Sequence, residues 1–395
     1  MSFFEHLGMA PSDPILGLTL AFAADERRDK VNLGAGVYKT ADLKPYILTS
    51  VKEAERVLLK EETSKDYLPM AGDGDFIEQT KKLVLGEFTD DRIFAIQSIG
   101  GTGALKVGGE LLLKSGCKRI FLSDPTWDNH RRIFTQMGFE VETYPYYDWK
   151  ECRFDFEAMY HAIEKMHEGD VIILQTCCHN PTGLNPTYEQ WKELCALIKK
   201  RRLIPFFDNA YQGFGESIEK DVAPIRLFVK EGLEVLIAAS YSKNFGLYAE
   251  RTGVLFTVCQ DGKVAKRVGS QIKKCVRGIY STPPCHGARI VATVLKDPKL
   301  RKLWEAELAT MRCRIEETRN AFLTALKAKG LQKFEFLEKQ RGMFSYTGLK
   351  QHEVDKLIAE YAIYMPGDGR VNVAGLNSEN LDYVVDAIYE TTKIL

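Results

Sequence analysis

The stretch Ser240-Tyr-Ser-Lys243-Asn-Phe-Gly-Leu-Tyr-Ala-Glu-Arg251-Thr-Gly253 carries the residues best suited to covalent chemistry. A lysine that follows an apolar strand and precedes a glycine-containing turn can be a desolvated amine, fit to form a Schiff base with a carbonyl. Ser240, Ser242 and Arg251 beside it could hold a phosphate, the serines by hydrogen bonds and the arginine through its planar fork. Taken alone, such a lysine is a surface residue. Its neighbours in type argue otherwise. Asp208-Asn-Ala-Tyr211 sets a carboxylate and a phenol near one strand end. A carboxylate facing a pyridine nitrogen keeps that nitrogen protonated and turns the ring into an electron sink. Without Lys243 the same pair would read as a helix cap and a packed ring. Asn180-Pro-Thr-Gly183 is a turn that places an amide after another strand. Gly100-Gly-Thr-Gly103 precedes a helical stretch, Ala104 to Lys114, and glycine N–H groups at a helix start bind phosphate. A dinucleotide fingerprint is excluded there, because Lys106 stands where its third glycine belongs.

Elements that would position these groups are legible as strands Arg119–Asp124, Val171–Thr176, Leu203–Asp208 and Val235–Ser240. Between the second and third, Thr187 and Gln190 form a capping box, and Trp191, Leu194, Cys195 and Ile198 line one helical face. Near-continuous apolar strands alternating with helices predict an α/β fold with a mostly parallel sheet covered on both faces. Ligands bind such sheets at the C-terminal strand ends, where Asp208 and Ser240 fall. The chain then changes character. A long charged helix, Leu300 to Lys329, precedes strands Phe344–Thr347 and Arg370–Val373 and a closing helix from about Ser378 to Thr392. This predicts a smaller α+β domain.

Lys plus Arg equals Asp plus Glu at 54 each, so the net charge is zero and nucleic acid is not an expected partner. The cysteines number nine, lack CxxC spacing and include adjacent Cys177 and Cys178, which reads as reduced thiols. No apolar run approaches the ~20 residues that span a bilayer. The start, Met1-Ser-Phe-Phe-Glu-His6, has no basic segment leading into an apolar one, so a cytoplasmic location with no membrane association is expected.

These pieces resemble the class I aminotransferases of fold type I, the aspartate/aromatic subgroup. The likeness runs from Asp13-Pro-Ile-Leu-Gly-Leu18 through Asn32-Leu-Gly-Ala-Gly-Val-Tyr38 to Gly369-Arg-Val-Asn-Val-Ala-Gly375. Its most specific stretches are Cys177-Cys-His-Asn-Pro-Thr-Gly183 and Tyr241-Ser-Lys-Asn-Phe-Gly-Leu-Tyr248. The resemblance implies an N-terminal arm and part of the small domain over residues 1–44, a large cofactor-binding domain over 45–310, and a small domain over 311–395. It implies pyridoxal 5'-phosphate as cofactor, carried by Lys243, whose freed amine shuttles a proton. Asp208 would pair with the pyridinium nitrogen, oriented by His130, while Tyr211 and Asn180 hold the ring oxygen and Trp127 stacks on the ring. Arg251, Ser240, Ser242, Gly101 and Thr102 would hold the phosphate, joined by Tyr67 from a partner subunit. Arg370, with Phe344 behind it, would grip the substrate α-carboxylate. Arg277 would come from the partner and grip the distal carboxylate, with Ser281 and Gly36 lining the pocket.

The implied reaction is ping-pong transfer of an amino group from L-aspartate to 2-oxoglutarate in a homodimer, with aromatic amino acids as the alternative donors. Three rival readings are a β-lyase or decarboxylase, a nicotinamide-dependent dehydrogenase and a non-catalytic binding module. The first needs no Arg277, the second needs the missing glycine fingerprint, and the third would not retain Lys243 and Asp208. Asp66, Asn209 and Thr282 depart from the familiar pattern near the site. They put the preference between aspartate and aromatic donors in doubt, while Val37 and Lys39 look more like the aspartate branch.

Overall fold

A computed structural model describes residues 2–10, 16–88 and 90–393. Pro11, Asp13, Pro14 and Ile15, read above as part of the arm and of the first matching motif, lie outside the described residues. The centre of the molecule is a seven-stranded sheet. Its strands are β1 (Ile93–Ile99), β2 (Arg119–Asp124), β3 (Glu140–Pro145), β4 (Val171–Gln175), β5 (Ile204–Asn209), β6 (Val235–Ser240) and β7 (Thr252–Val258). They stand in the order β1-β7-β6-β5-β4-β2-β3. All run parallel except β7, which is antiparallel to both β1 and β6.

Strand side chains alternate between faces, and here both faces are covered. Ile172, Leu174, Phe207, Ile237 and Ala239 point into one apolar cluster. Val171, Ile173, Phe206, Leu236 and Ala238 point into a second, on the opposite side. Helix α1 (Gly100–Lys114) follows β1, α2 (Asp128–Gln136) follows β2, and α3 (Tyr188–Arg201) precedes β5. The capping box of α3 forms as read: Thr187 Oγ1 accepts from Gln190 N, and Gln190 Oε1 accepts from Thr187 N.

Helices α4 (Gly262–Ile279) and α5 (Pro298–Ala328) come after the sheet. The long α5 spans two cores. Trp304, Leu308, Met311 and Ile315 pack in the first cluster, whereas Phe322 and Leu326 pack in a third with Val31, Leu33, Leu357, Ile363, Val371 and Ile388. Strand β8 (Phe344–Tyr346) pairs antiparallel with β9 (Arg370–Asn372) and gives Phe344 to the first cluster. The third core takes in Val371 of β9 and Val384, Val385 and Ile388 of α6 (Leu381–Thr392).

Some element limits differ from the sequence reading. Helix α1 begins at Gly100, not Ala104, because the glycine run is itself wound into the first turn. Gly100 has φ +65, and a Cβ there would lie 2.7 Å from the Arg251 guanidinium, so only glycine permits this approach. Helix α6 begins at Leu381, because Asn377 and Asn380 spend their side chains on a capping turn ahead of it.

Candidate active site

The C-terminal ends of β1, β2, β4, β5 and β6 share one edge of the sheet, and antiparallel β7 starts at that edge with Arg251 just before it. A cavity of about 410 Å³ opens there. Thirteen of the residues picked from sequence line it. Gly101 and Thr102 come from the first turn of α1, and Trp127 from the β2–α2 turn. Asn180 follows β4, Asp208 and Tyr211 lie at and after β5, and Ser240, Ser242 and Lys243 at and after β6. Arg251 adjoins β7, Gly36 belongs to an N-terminal loop, and Phe344 and Arg370 lie on β8 and β9.

Lys243 reaches the cavity through a partly exposed side chain otherwise surrounded by protein, its Nζ 4.8 Å from the centre of the Tyr211 ring. Loss of hydration pushes its ammonium down to about 8. The Asp208 carboxylate opposes that shift, while Arg251 and Arg370 add to it. Such an amine is largely a nucleophile at mildly alkaline pH. In the cofactor-free protein, aldehyde modification of Lys243 trapped by borohydride will rise with pH and level off above about 8, well below an ordinary lysine at about 10.4. Asp208→Asn removes the charge that holds the ammonium up, so its midpoint will fall further. Mass spectrometry across a pH series reads both.

Asp208 is buried, and its Oδ2 lies 3.0 Å from His130 Nε2. His130 is fully buried, and its Nδ1 lies 2.8 Å from Thr126 Oγ1. A carboxylate only accepts, so Nε2 carries the proton and the Thr126 hydroxyl satisfies Nδ1. The free carboxylate oxygen is thus aimed by a fixed chain of side chains. Trp127 packs edge-on to His130, ring centres 5.2 Å apart.

At one end of the cavity the first turn of α1 presents backbone N–H groups that have no partner within the helix. Arg251, Ser240 and Ser242 stand beside them. Arg251 is steadied by donating to Tyr248 O at 3.1 Å. These groups make an anion-binding end.

At the other end, Arg370 is buried over the Phe344 ring, its guanidinium carbon 4.2 Å from the ring centre. It donates from Nη1 to Asn180 Oδ1 and from Nη2 to Gly34 O, both at 3.0 Å. Its Nε is buried with no protein partner. An orphan donor on a buried cation is costly unless an acceptor fills it, which points to an anionic ligand group. Burial lowers the Arg370 pKa, and Asp368 works against that.

Four expected residues do not line the cavity: His130 stands behind Asp208, and the other three lie elsewhere. Tyr67 is 92% exposed, Arg277 is exposed in the last turn of α4, and Ser281 accepts a hydrogen bond from Arg277. Gln175, Ala210 and Tyr248 line it without having been singled out. Gln175 ends β4, where its amide brackets Asn180, donating to Asn180 O at 3.0 Å and accepting from Asn180 N at 2.8 Å. Its position at a strand's C-terminal end was the available signal. Tyr248 sits in a quoted motif, and its hydroxyl accepts from Tyr38 N at 3.0 Å. Thr126 is four residues before His130, one helical turn away.

The lining fits pyridoxal phosphate by its chemistry: an amine with lowered pKa, an anion-binding helix start, a carboxylate aimed by histidine, and a buried arginine lacking an acceptor. Among the described residues, no group of His, Cys, Asp and Glu could hold a metal ion.

The chain matches the family model for aminotransferase class I and II over residues 28–388. It is 44% identical over 400 residues to the mitochondrial aspartate aminotransferase of Xenopus tropicalis, covering 99% of this chain and 94% of that one. It is also 44% identical over 391 residues to the aspartate aminotransferase of Escherichia coli (strain K12), covering 98% and 99%. Among solved structures, an aromatic-amino-acid aminotransferase from Burkholderia pseudomallei covalently bound to pyridoxal phosphate matches with TM-score 0.96 at 45% identity, covering 99% and 100%. The cytoplasmic aspartate aminotransferase of Saccharomyces cerevisiae matches with TM-score 0.96 at 35% identity, covering 99% of each chain.

Proposed function

The chain belongs to the class I and II aminotransferases, and from that membership we propose that it transfers the amino group of L-aspartate to 2-oxoglutarate, giving oxaloacetate and L-glutamate. The observation that carries this is the single cavity joining Lys243, the His130-backed Asp208 and the acceptor-seeking Arg370. Pyridoxal phosphate, when bound, supplies an aldehyde for the amino group and a ring that delocalises the electrons left when the α-proton departs.

This chain's residues do the rest. Lys243 would carry the cofactor, and its amine, when free, would accept the substrate α-proton and give it back. Asp208 holds the ring nitrogen protonated, with His130 and Thr126 fixing its angle. Tyr211 and Asn180 hold the ring oxygen, and Trp127 covers the ring face. Arg251, Ser240, Ser242, Gly101 and Thr102 hold the phosphate. Arg370 binds the α-carboxylate by a charge-assisted pair, and Phe344 shapes its back wall.

A dicarboxylate needs a second cation, and the described arginines lining the cavity are Arg251 and Arg370. We assign that role to Arg277 of a second copy, with Ser281 near it, and give Tyr67 of that copy to the phosphate. The exposure of Arg277 and Tyr67 in one chain supports the assignment, as do the exposed Phe3 and Phe4 of the N-terminal segment. The working unit is then a homodimer. Residues 45–310 act as the cofactor-binding unit, and 311–395 with part of 1–44 as the smaller one. All nine cysteines are unpaired thiols, which favours a reducing compartment, and we place the enzyme in the cytoplasm. Among the described residues no helix is long and apolar enough to cross a membrane.

Initial rates at several aspartate and 2-oxoglutarate concentrations will give parallel double-reciprocal lines, because one site handles the two substrates in turn. Converging lines would contradict the proposal. Aromatic donors form the second reading, favoured by the aromatic aminotransferase structure at 45% identity. A kcat/KM for phenylalanine above that for aspartate would select it.

A further inference from the structure

The segments bearing Tyr67 and Arg277 are far apart in sequence, yet one buried side chain ties them together. Gln97 lies on β1, the edge strand of the sheet, and is fully buried. Its backbone groups face the free edge. Its N–H donates to Ala71 O at 2.9 Å, and its carbonyl accepts from the Tyr280 hydroxyl at 2.9 Å. Its side chain repeats the pattern. Oε1 accepts from Asp73 N at 3.0 Å, and Nε2 donates to Pro284 O at 2.6 Å. Two bonds therefore go to residues 71–73, just after Tyr67, and two go to residues 280–284, just after Arg277.

The fit is tight. Gly72, at φ +99, leaves room for Gln97 only because it has no Cβ; one built there would meet Gln97 Cβ at 2.2 Å. These contacts also close a strand edge that would otherwise expose unpaired backbone groups. None of this touches the chain's own cavity, whose lining does not include Gln97.

We infer that Gln97 is a positioning residue for the neighbouring copy's active site: it locks residues 71–73 and 280–284 into one rigid presenting surface, so that Tyr67 and Arg277 reach the neighbour at a fixed spacing. The inference rests on the shared-site reading above. An edge-strand glutamine serving only its own fold would affect both sites of a dimer alike. A presenting residue affects only the site that its chain completes.

Hybrid dimers with a single working lysine separate these cases, purified through two different tags from co-expressed chains and loaded with pyridoxal phosphate. In the first hybrid, Gln97→Glu sits on the chain that keeps Lys243, and the other chain carries Lys243→Ala. In the second, Gln97→Glu and Lys243→Ala share one chain and the other is unaltered. Gln97→Glu keeps the acceptor for Asp73 N but sets an oxygen against the Pro284 carbonyl. The second hybrid will show a KM for aspartate raised on the order of 10- to 100-fold, the scale of a displacement near 1 Å in a positioned group. The first will match a hybrid carrying Lys243→Ala alone. Tyr280→Phe, which removes one hydroxyl, provides the same comparison if Gln97→Glu does not assemble. A defect in the first hybrid, an equal defect in both, or none in either overturns the inference. Arg277→Ala placed in the same two hybrids is the control. If it too lacks asymmetry, the shared-site reading fails; if it alone is asymmetric, only the role of Gln97 fails.

Discussion

Lys243→Ala will lower the rate of aspartate transamination by about 10⁴-fold or more, at or beyond the upper end of what one positioned proton-transfer group contributes. The loss is expected on kcat, because the role proposed for this side chain is to carry the cofactor and move the α-proton rather than to bind substrate. Arg370 and the anion-binding end around Arg251 are untouched. Stability should not fall, since an amine pushed down to about 8 by lost hydration is one whose burial already disfavours the charged form. Stopped-flow single turnovers and a thermal melt measure the two effects. A variant within tenfold of the original rate would remove Lys243 from the chemistry.

Arg277→Leu will divide substrates instead of abolishing turnover. Losing one partner of a desolvated ion pair costs about 3–5 kcal/mol, which is roughly 10²- to 10⁴-fold in kcat/KM for aspartate. Phenylalanine, with no distal carboxylate, should change by less than about tenfold, because it would rely on the α-carboxylate grip proposed for Arg370. Arg277→Lys will not restore aspartate, since an ammonium cannot reproduce the bidentate fork. Co-expression with Lys243→Ala chains tests the subunit assignment. One site of the hybrid then receives both Lys243 and Arg277, and aspartate turnover returns with close to the original KM. Equal losses for aspartate and phenylalanine would show that Arg277 does not read the side chain.

Much of this site was legible because its groups sit at strand ends. Strands β2 and β6 were read with their observed limits, and β4 and β5 to within a residue, since continuous apolar runs bounded by polar residues define a buried strand. Asp208, Ser240 and Lys243 followed from that edge. Direction was less legible. Residues Thr252–Val258 form an apolar run like the others, and nothing in the run records that it is antiparallel. That reversal is what delivers Arg251 to the cavity. The contacts of Gln97, Gln175 and Thr126 were hidden for a related reason. Each is a polar residue whose partners are set by the turn or strand packed against it, and residue type alone does not name them. Helix α5 was read as one helix to within two residues at its start and one at its end. Its passage from one apolar core to another between Ile315 and Phe322 appears only once the cores are packed.

The most direct test of the central claim is the absorption spectrum of the protein loaded with pyridoxal phosphate, recorded before and after excess L-aspartate with no keto acid present. The aldehyde-form band will give way to the pyridoxamine band, and 2-oxoglutarate will then restore it. A cofactor band that aspartate leaves unchanged would contradict the account.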